Sequence, residues 1–281
     1  MDHRLSIVLG PHGQVRDLRS GAVTVPGHAL DFVEVKRMPD AYRDMARTQP
    51  YAISEMAPTA YLQALSAGAP ITALPLPMTR RFRHAGVLKR RGSPLAGPAD
   101  LAGRSVGVRA YAVTAAVWTR GIYADDYGLD TRQVAWLTEE EENLSQFPLP
   151  PNARRIAPGQ TLARLFQDGS IDAAFAGLAG AGDAGGDDVE DLVPDAAERE
   201  AQWFRRTGIY PLHGVIVLRN DVIAAHPRLP LQLFRAFEQA KSNYLERIRA
   251  GGELDAEDKR YLKLQALVGD VSDFHREEFT L

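Results

Sequence analysis

The sequence predicts a two-lobed α/β protein, and three observations support this prediction. Strand-like and helix-like segments alternate along most of the chain, as they do in α/β folds. A length of 281 residues is too great for one small core and suits two domains. A long apolar strand at 210–219 would return the chain to the first lobe. We therefore expect one lobe from 1–88 and 211–281, and a second lobe from 89–210.

The first lobe contains short apolar runs separated by Gly, Pro and polar residues, which is typical of buried strands in an α/β core. Pro58 can open a helix at its first turn, and Gly68 can end that helix. We predict strands at 5–9, 30–35, 51–54, 71–76 and 82–89, and helices at 40–48 and 58–67.

The second lobe and the C-terminal part continue the alternation, with an acidic and Pro-rich loop at 139–160. We predict strands at 103–109, 134–137 and 169–176, and helices at 114–127, 160–168, 196–206, 230–249 and 256–268. Two crossings between the lobes, near 85–90 and 208–216, are predicted to form a two-stranded hinge. Open α/β sheets bind ligands at the C-terminal ends of their strands, so we expect a ligand in the cleft between the lobes.

Charge and composition exclude several classes of protein. A formal net charge of -3 offers no basic field to nucleic acid, and the absence of cysteine excludes disulfides, thiolate metal sites and cysteine nucleophiles. The apolar stretch from Leu5 to Leu9 is too short for a signal-peptide core, and no run is long enough to span a bilayer. We expect a cytoplasmic protein with no nucleic acid or membrane partner, and we leave a homo-oligomer open.

The first candidate site follows the strand at 51–54. Ser54 is positioned to donate a hydrogen bond to a ligand, and Glu55 is a candidate general acid just before the helix that Pro58 opens. The alternative is structural: a helix cap, with an acid favoured by the helix dipole. Both interpretations stay open at this point.

The second candidate site is the basic and aromatic segment from Arg80 to His84. Arg81 and Arg83 are candidate substrate-binding residues, because guanidinium groups hold carboxylates bidentately. Phe82 offers an aromatic wall, and His84 can transfer protons near neutral pH. A solvated basic turn is the alternative. The position after an apolar strand and beside the predicted hinge favours function.

The third candidate site lies where a strand ends at Arg109 and a helix begins near Thr114. The free amides of Val113, Thr114 and Ala115 would face the cleft and attract an anion, and Tyr111 adds a hydroxyl group. The alternative is simple packing between a strand and a helix.

A lone histidine, His213, begins the predicted return strand, and its catalytic and structural interpretations are equally supported. The seven histidines show no metal-ligand spacing, so we expect no metal site. We also expect no organic cofactor. A divalent metal stays open, because Glu55 and a histidine can supply ligands.

These four clusters, in this order, resemble the 4,5-dihydroxyphthalate decarboxylase family and its relatives among the substrate-binding proteins of ABC transporters. The similarity runs from about Tyr51 to Tyr244, and the stretches Arg81–His84 and Thr114–Gly121 are the most specific. Further matching stretches are 53–55, 61–62, 101–108, 207–211 and 234–241. The resemblance implies a bilobed fold of the type II periplasmic-binding-protein class, and removal of one carboxylate from a dihydroxylated phthalate without oxidation.

Under this implied activity, the carboxylates of the substrate would be bound by Arg81, by Arg83 and by the amides of 113–115. Ser54 and Tyr111 would orient the hydroxyl groups of the substrate.

Proton transfer would fall to His84, with Glu55 as the second proton carrier. His213 is a third candidate, but the family pattern places this histidine where Gly214 stands here. A shift of one residue on a strand reverses the direction of the side chain, so the role of His213 stays open.

Two alternatives to a decarboxylase stay open from the sequence. One is a solute-binding or sensor protein without catalysis that binds a small anionic aromatic ligand, because this fold mostly serves binding. The other is an enzyme of menaquinone or pyrimidine biosynthesis built on the same two lobes.

Overall fold

The computed structural model describes residues 3–177, 188–251, 254 and 256–269. The chain divides into two compact units, the first formed by Met1–Arg80 with Leu212–Leu281 and the second by Arg81–Pro211. The predicted boundary after residue 88 is corrected by this division, because residues 87–90 form a strand of the second unit's sheet. The return to the first unit comes at Leu212 rather than at residue 211.

The first unit has a mixed five-stranded sheet in the order β2-β1-β3-β11-β4. Its strands are β1 (His3–Val8), β2 (His28–Phe32), β3 (Ile53–Met56), β4 (Ile71–Arg80) and β11 (Leu212–Arg219). Its helices are α1 (Arg16–Ser20), α2 (Met38–Arg47), α3 (Pro58–Ser66), α7 (Asn220–Ala225), α8 (Leu229–Arg249) and α9 (Ala256–Val268). β1 runs parallel to β2 and β3, whereas β11 runs antiparallel to β3 and β4.

The core of the first unit is built from the apolar runs that the sequence shows. Ile7 on β1, Ile53 on β3 and Ile216 on β11 are fully buried, and α8 adds Leu229 and Leu233 to the same cluster. Burial of one such side chain contributes about 1.5–3 kcal/mol. These contacts fix the strands whose C-terminal ends carry the polar residues considered below.

The second unit has a six-stranded sheet in the order β10-β5-β9-β6-β7-β8. Its strands are β5 (Val87–Arg90), β6 (Ser105–Val108), β7 (Ala135–Thr138), β8 (Ala153–Arg155), β9 (Ala173–Phe175) and β10 (Val189–Asp191). Its helices are α4 (Thr114–Tyr127), α5 (Leu162–Gln167) and α6 (Ala196–Thr207). Trp136 and Tyr123 fill one core cluster of this unit, and Phe166 fills another.

Several predicted elements need correction. β4 continues to Arg80, and residues 81–86 are irregular, so the strand predicted at 82–89 is reduced to β5. β8 lies within the predicted loop at 139–160, and α7 was not predicted. Among the described helices, none is long and apolar enough to cross a bilayer.

Candidate functional site

Glu55 is a buried carboxylate near the C-terminal end of β3 in the first unit, and only 2% of it is exposed. The backbone N–H of Gly10 donates a hydrogen bond of 3.0 Å to its Oε2. The Tyr42 hydroxyl donates to its Oε1 at 3.4 Å. A carboxylate taken this far from water needs such donors, because an unpaired buried charge is very costly.

His12 is the closest ionisable partner of this carboxylate, with its Nε2 atom 2.8 Å from Oε2 of Glu55. The His12 side chain is 15% exposed, whereas that of Glu55 is 2% exposed. The two residues therefore form a histidine–carboxylate pair in which the histidine is the more accessible member. The sequence analysis did not identify His12, because it lies in a polar, Gly-rich segment with no periodicity.

The sheet brings these two residues together. β1 pairs in parallel with β3, with Val8 opposite Ser54, so the segment after β1 and the end of β3 meet at one edge of the sheet. A Cβ atom added at Gly10 would lie 2.6 Å from Nε2 of His12. Glycine at this position therefore leaves room for the imidazole ring.

Gly214 on β11 leaves room on the other side of Glu55. A Cβ atom at Gly214 would lie 2.6 Å from Oε1 of Glu55 and 3.1 Å from the Thr79 hydroxyl oxygen. The neighbouring His213 falls at an irregularity of the pairing between β11 and β4, since Leu212 pairs with Arg80 and Gly214 already pairs with Thr79. Gly214, not His213, thus lies against the carboxylate, and a catalytic role of His213 stays a prediction.

Ser54 has a hydrogen-bond acceptor within the protein. Its side chain is fully buried, and its hydroxyl donates a hydrogen bond of 2.8 Å to the backbone carbonyl of Glu55. Ser54 thus holds the backbone that carries Glu55. The orientation of a substrate hydroxyl by Ser54 stays a prediction.

The predicted basic cluster lies at the start of the second unit, in the irregular segment 81–86. Arg81 and Arg83 are half-buried, and the backbone N–H of Arg81 donates to the carbonyl of Pro211 at 2.9 Å. The Arg83 carbonyl accepts a hydrogen bond of 3.2 Å from the Thr119 hydroxyl on α4. Binding of a carboxylate by either guanidinium group stays a prediction.

Phe82 packs inward between the two arginines. Its ring centroid lies 4.7 Å from that of Tyr210 and 6.0 Å from that of Phe204. The Phe82 ring, which was expected to form an aromatic wall for a ligand, therefore packs against other aromatic rings of the second unit.

His84 is a core residue of the second unit, only 1% exposed. Its ring lies 5.6 Å from Trp203 and 6.5 Å from Tyr127, measured between centroids. Neither ring nitrogen has a hydrogen-bond partner in the described part of the chain. Burial lowers the pKa of His84 below its usual value, and the nearby Asp126 opposes this shift only in part.

Proton transfer by His84 stays a prediction, although its ring is enclosed in the core. A ring enclosed by aromatic side chains cannot touch a substrate without rearrangement of the core. The sequence analysis placed His84 on a strand beside a hinge, where it would have been accessible.

The loop before α4 does bind a carboxylate, but that carboxylate belongs to the protein. Glu142 accepts hydrogen bonds from the backbone N–H groups of Tyr111 at 2.5 Å and Ala112 at 3.0 Å. α4 begins at Thr114 as predicted, and its N-cap residue Val113 makes no side-chain cap. Whether the amides of 113–115 bind a ligand stays a prediction; Glu142 shows that the adjacent amides already suit a carboxylate.

Tyr111 carries a stacked guanidinium group. The Arg120 guanidinium carbon lies 3.9 Å from the centroid of the Tyr111 ring and 5.4 Å from that of Trp136. Burial lowers the pKa of Arg120, while Tyr111 and Glu142 act in the opposite direction. Cation–π contacts of this type contribute about 0.5–2 kcal/mol. Tyr111 thus has a structural partner, and its contact with a substrate stays a prediction.

The acidic run at 139–142 makes defined contacts with neighbouring segments of the second unit. Oε2 of Glu139 accepts a hydrogen bond of 3.0 Å from the backbone N–H of Leu162 in the first turn of α5. Glu140 pairs with Arg109 at 3.0 Å. Within the described residues, no group of three or more His, Cys, Asp or Glu side chains could hold a metal ion.

Two curated proteins named 4,5-dihydroxyphthalate decarboxylase are similar to this chain in sequence. The protein from Comamonas testosteroni is 31% identical over 255 residues, which cover 87% of this chain and 77% of that protein. The protein from Pseudomonas putida is 29% identical over 211 residues, which cover 72% of this chain and 81% of that protein. No protein-family model matches the chain.

Solved structures show the fold. The periplasmic aliphatic sulphonate-binding protein SsuA from Escherichia coli superposes with a TM-score of 0.56 at 13% identity, covering 95% of this chain and 93% of SsuA. A Candida albicans gene product with the generic periplasmic-binding-protein fold gives a TM-score of 0.51 at 12% identity, covering 94% of this chain and 80% of that one. The chain therefore has the periplasmic-binding-protein fold, which confirms the predicted fold class.

The desulfurization enzyme DszB is a third structure of this kind. In complex with biphenyl-2-sulfinic acid it gives a TM-score of 0.52 at 17% identity, covering 96% of this chain and 81% of the enzyme. At this level of identity the likeness concerns the fold alone.

Proposed function

Because the chain belongs to the 4,5-dihydroxyphthalate decarboxylase family, we propose that it removes carbon dioxide from a hydroxylated aromatic carboxylate without oxidation. The sequence similarity to the Comamonas protein over most of both chains is the observation that carries this proposal. We propose 4,5-dihydroxyphthalate as the first substrate to test, because both curated relatives carry that substrate in their names.

The chemistry of this substrate defines what the protein must supply. Each carboxylate of 4,5-dihydroxyphthalate lies para to a hydroxyl group, and deprotonation of that hydroxyl pushes an electron pair toward the ring carbon that bears the carboxylate. This carbon accepts a proton, the bond to the carboxylate breaks, the ring becomes aromatic again, and the ring oxygen regains the proton that it lost. One substrate dianion and one proton thus give one 3,4-dihydroxybenzoate anion and one carbon dioxide.

Glu55 supports a proton-transfer site in the first unit. It is buried near the C-terminal end of a strand, which is where open α/β sheets hold their ligands. It also lies 2.8 Å from a histidine, and pairs of this kind commonly serve proton transfer. Its side chain is therefore retained as a proposed participant in proton transfer, as the sequence analysis expected.

The proposed carboxylate-binding groups belong to the second unit. They are the guanidinium groups of Arg81 and Arg83 and the backbone amides at the start of α4. The two amides occupied by Glu142 support this proposal, because they show a carboxylate held by backbone N–H groups of the same loop. Guanidinium groups bind carboxylates more selectively than ammonium groups do, because they offer two parallel donors.

The test is incubation of the purified protein with a panel of hydroxylated benzoates and phthalates, with carbon dioxide release as the measurement. We expect release from compounds with a hydroxyl group para to a carboxylate. The matched control is 4,5-dimethoxyphthalate, which keeps both carboxylates but has no proton to lose from its ring oxygens, so we expect no release from it. Tight binding of several panel members without any release would favour the alternative, a solute-binding protein.

A further inference from the structure

We propose that His12 is the catalytic residue that delivers the proton to the ring. Glu55 holds the imidazole of His12 in place and balances its positive charge. This inference rests on the proposed function, since it assigns a residue to that reaction. It replaces His84 as the proton carrier and assigns Glu55 a supporting role beside a histidine that the sequence patterns did not indicate.

The two residues of the pair differ in their access to solvent. Glu55 is 2% exposed and receives hydrogen bonds from Gly10, Tyr42 and His12, so its oxygens already face donors within the protein. The His12 side chain is 15% exposed. Of the two, His12 is therefore the residue that a ligand can reach.

The position of the pair in the fold also suits the binding of a ligand. His12 follows β1 and Glu55 lies on β3, and these two strands are parallel neighbours. Both residues therefore lie at the C-terminal edge of the parallel part of the sheet. Ligands of α/β proteins bind at this edge, which places the pair where a substrate of the first unit would bind.

The other described histidines lie in different surroundings. His84 is enclosed in the core of the second unit. His3, His28 and His226 form a ring cluster with centroid distances of 4.6 to 6.0 Å, and His3 pairs with His28 where β1 and β2 begin, at the opposite edge of the sheet.

His213 differs from His12 in that Gly214, its neighbour on β11, is the residue against Glu55. His12 thus combines partial exposure, a carboxylate partner and a place at the ligand edge of the sheet.

The arrangement specifies the proton transfer. Nε2 of His12 faces Oε2 of Glu55, and the imidazole would donate its proton to the substrate. The proton bonds to the ring carbon, the bond from that carbon to the carboxylate breaks, and its electron pair restores the aromatic ring as carbon dioxide leaves. Water then returns a proton to His12. The negative charge of Glu55 stabilises the imidazolium before the transfer, as carboxylates paired with histidine do in other enzymes.

The test is His12→Gln, with steady-state decarboxylation of 4,5-dihydroxyphthalate as the measurement. The amide nitrogen of glutamine can take the place of Nε2 and keep the contact with Glu55, so we expect a folded protein. General acid catalysis contributes about 10²–10⁴-fold, so we expect kcat to fall at least ~100-fold while KM stays within about threefold. The matched control is His28→Gln, which changes a histidine at the opposite edge of the sheet and should leave both constants unchanged.

A second variant separates a catalytic role from a structural one. His12→Ala removes the ring, and we expect added imidazole to restore part of the lost kcat in a saturable manner, with no such effect on the wild type. A merely structural histidine would give no rescue.

The outcomes distinguish the two proposals. If the wild type releases carbon dioxide and His12→Gln retains a kcat within about threefold of it, the assignment of His12 is wrong and the proposed function stands. If the wild type releases none from any panel member, the proposed function fails, and the assignment of His12 fails with it.

Discussion

Two glycines leave space beside the Glu55 carboxylate, Gly10 on its Oε2 side and Gly214 on its Oε1 side. Gly214 lies so close that a Cβ atom would approach Oε1 of Glu55 to 2.6 Å and the Thr79 hydroxyl oxygen to 3.1 Å. Contacts this short force neighbouring atoms to move, and overpacking of a tight site typically costs about 1–3 kcal/mol. Because Glu55 holds His12, displacement of the carboxylate should misplace the imidazole as well.

We therefore predict that Gly214→Ala lowers kcat for 4,5-dihydroxyphthalate at least ~10-fold, since ~1.4 kcal/mol of transition-state stabilisation corresponds to a factor of ten. The control is Gly121→Ala on α4, where the added Cβ atom meets no atom within 4 Å. We expect that variant to keep its activity and to gain about 0.5–1 kcal/mol of stability, as alanine does in a helix. Equal activities of the two variants would show that the space at Gly214 has no role in catalysis.

The buried His84 predicts a specific pH dependence of stability. Burial lowers the pKa of His84 in the folded protein, so the unfolded chain takes up this proton first as the pH falls. The neutral ring therefore contributes to the free energy of unfolding at neutral pH. This contribution declines as the pH falls below about 6.5, the ordinary pKa of histidine.

We predict that His84→Phe removes this part of the pH dependence. Phenylalanine resembles histidine in shape, and the ring nitrogens lose no hydrogen bond in the change, since neither has one among the described residues. Urea unfolding at pH 7.5 and pH 5.5 measures the effect, and we expect the wild type to lose more free energy of unfolding between the two values than the variant does. An identical loss in both proteins would mean that His84 does not titrate in this way.

At the residue scale, the sequence indicated Glu55 as a candidate but not its contact with His12, for identifiable reasons. Glu55 was proposed because it stands between an apolar strand and a proline that opens a helix. His12 was missed because only the parallel pairing of β1 with β3 brings it to Glu55, and no local pattern encodes a contact across 43 positions. The burial of His84 was not predicted, because alternation along a predicted strand does not reveal the aromatic residues of a distant helix.

At the scale of elements, the loop before α4 depends on an acidic segment that looks unstructured in the sequence. Glu142 accepts hydrogen bonds from the backbone N–H groups of Tyr111 and Ala112, and Glu140 pairs with Arg109, which directly follows β6. The segment after β7 thereby holds the segment after β6, and this attachment positions the start of α4.

We predict that Glu142→Ala destabilises the protein by about 1–3 kcal/mol, because two partly buried amides lose their acceptor. The control is Glu141→Ala: that side chain is 58% exposed and lies 3.7 Å from Arg155, so its loss should cost at most about 1 kcal/mol. The free energy of unfolding in urea measures both effects. Equal stabilities of the two variants would contradict an anchoring role of Glu142.

The success of the sequence analysis also varied between elements. The bounds of α4 were predicted correctly, because a glycine in the left-handed conformation, Gly128, ends it. β4 was predicted too short, since the predicted strand ended at residue 76, before Pro77. Among the described strands, β4 pairs with β11 alone and so forms an edge of the sheet, where proline is tolerated because an edge has backbone groups without strand partners.

At the scale of the whole molecule, alternating strands and helices were sufficient to predict the fold class, which the solved structures confirm. The division of the chain was less accurate, because β5 follows the first unit directly but pairs antiparallel with β9 and β10 of the second sheet. Strand pairing over such distances is not visible in local patterns. The fold alone leaves the function undecided, since binding proteins and enzymes share it. The proposal of decarboxylation rests on the sequence similarity to the decarboxylases.

Carbon dioxide release from 4,5-dihydroxyphthalate by the purified protein is the most direct test of this account, with Glu55→Gln measured beside the wild type. We predict that the wild type forms one 3,4-dihydroxybenzoate and one carbon dioxide for each substrate consumed. A Glu55→Gln variant that melts like the wild type should be slower by roughly 100-fold, the lower end of what acid–base groups contribute. Saturable binding of 4,5-dihydroxyphthalate by the wild type with no carbon dioxide formed would contradict the account.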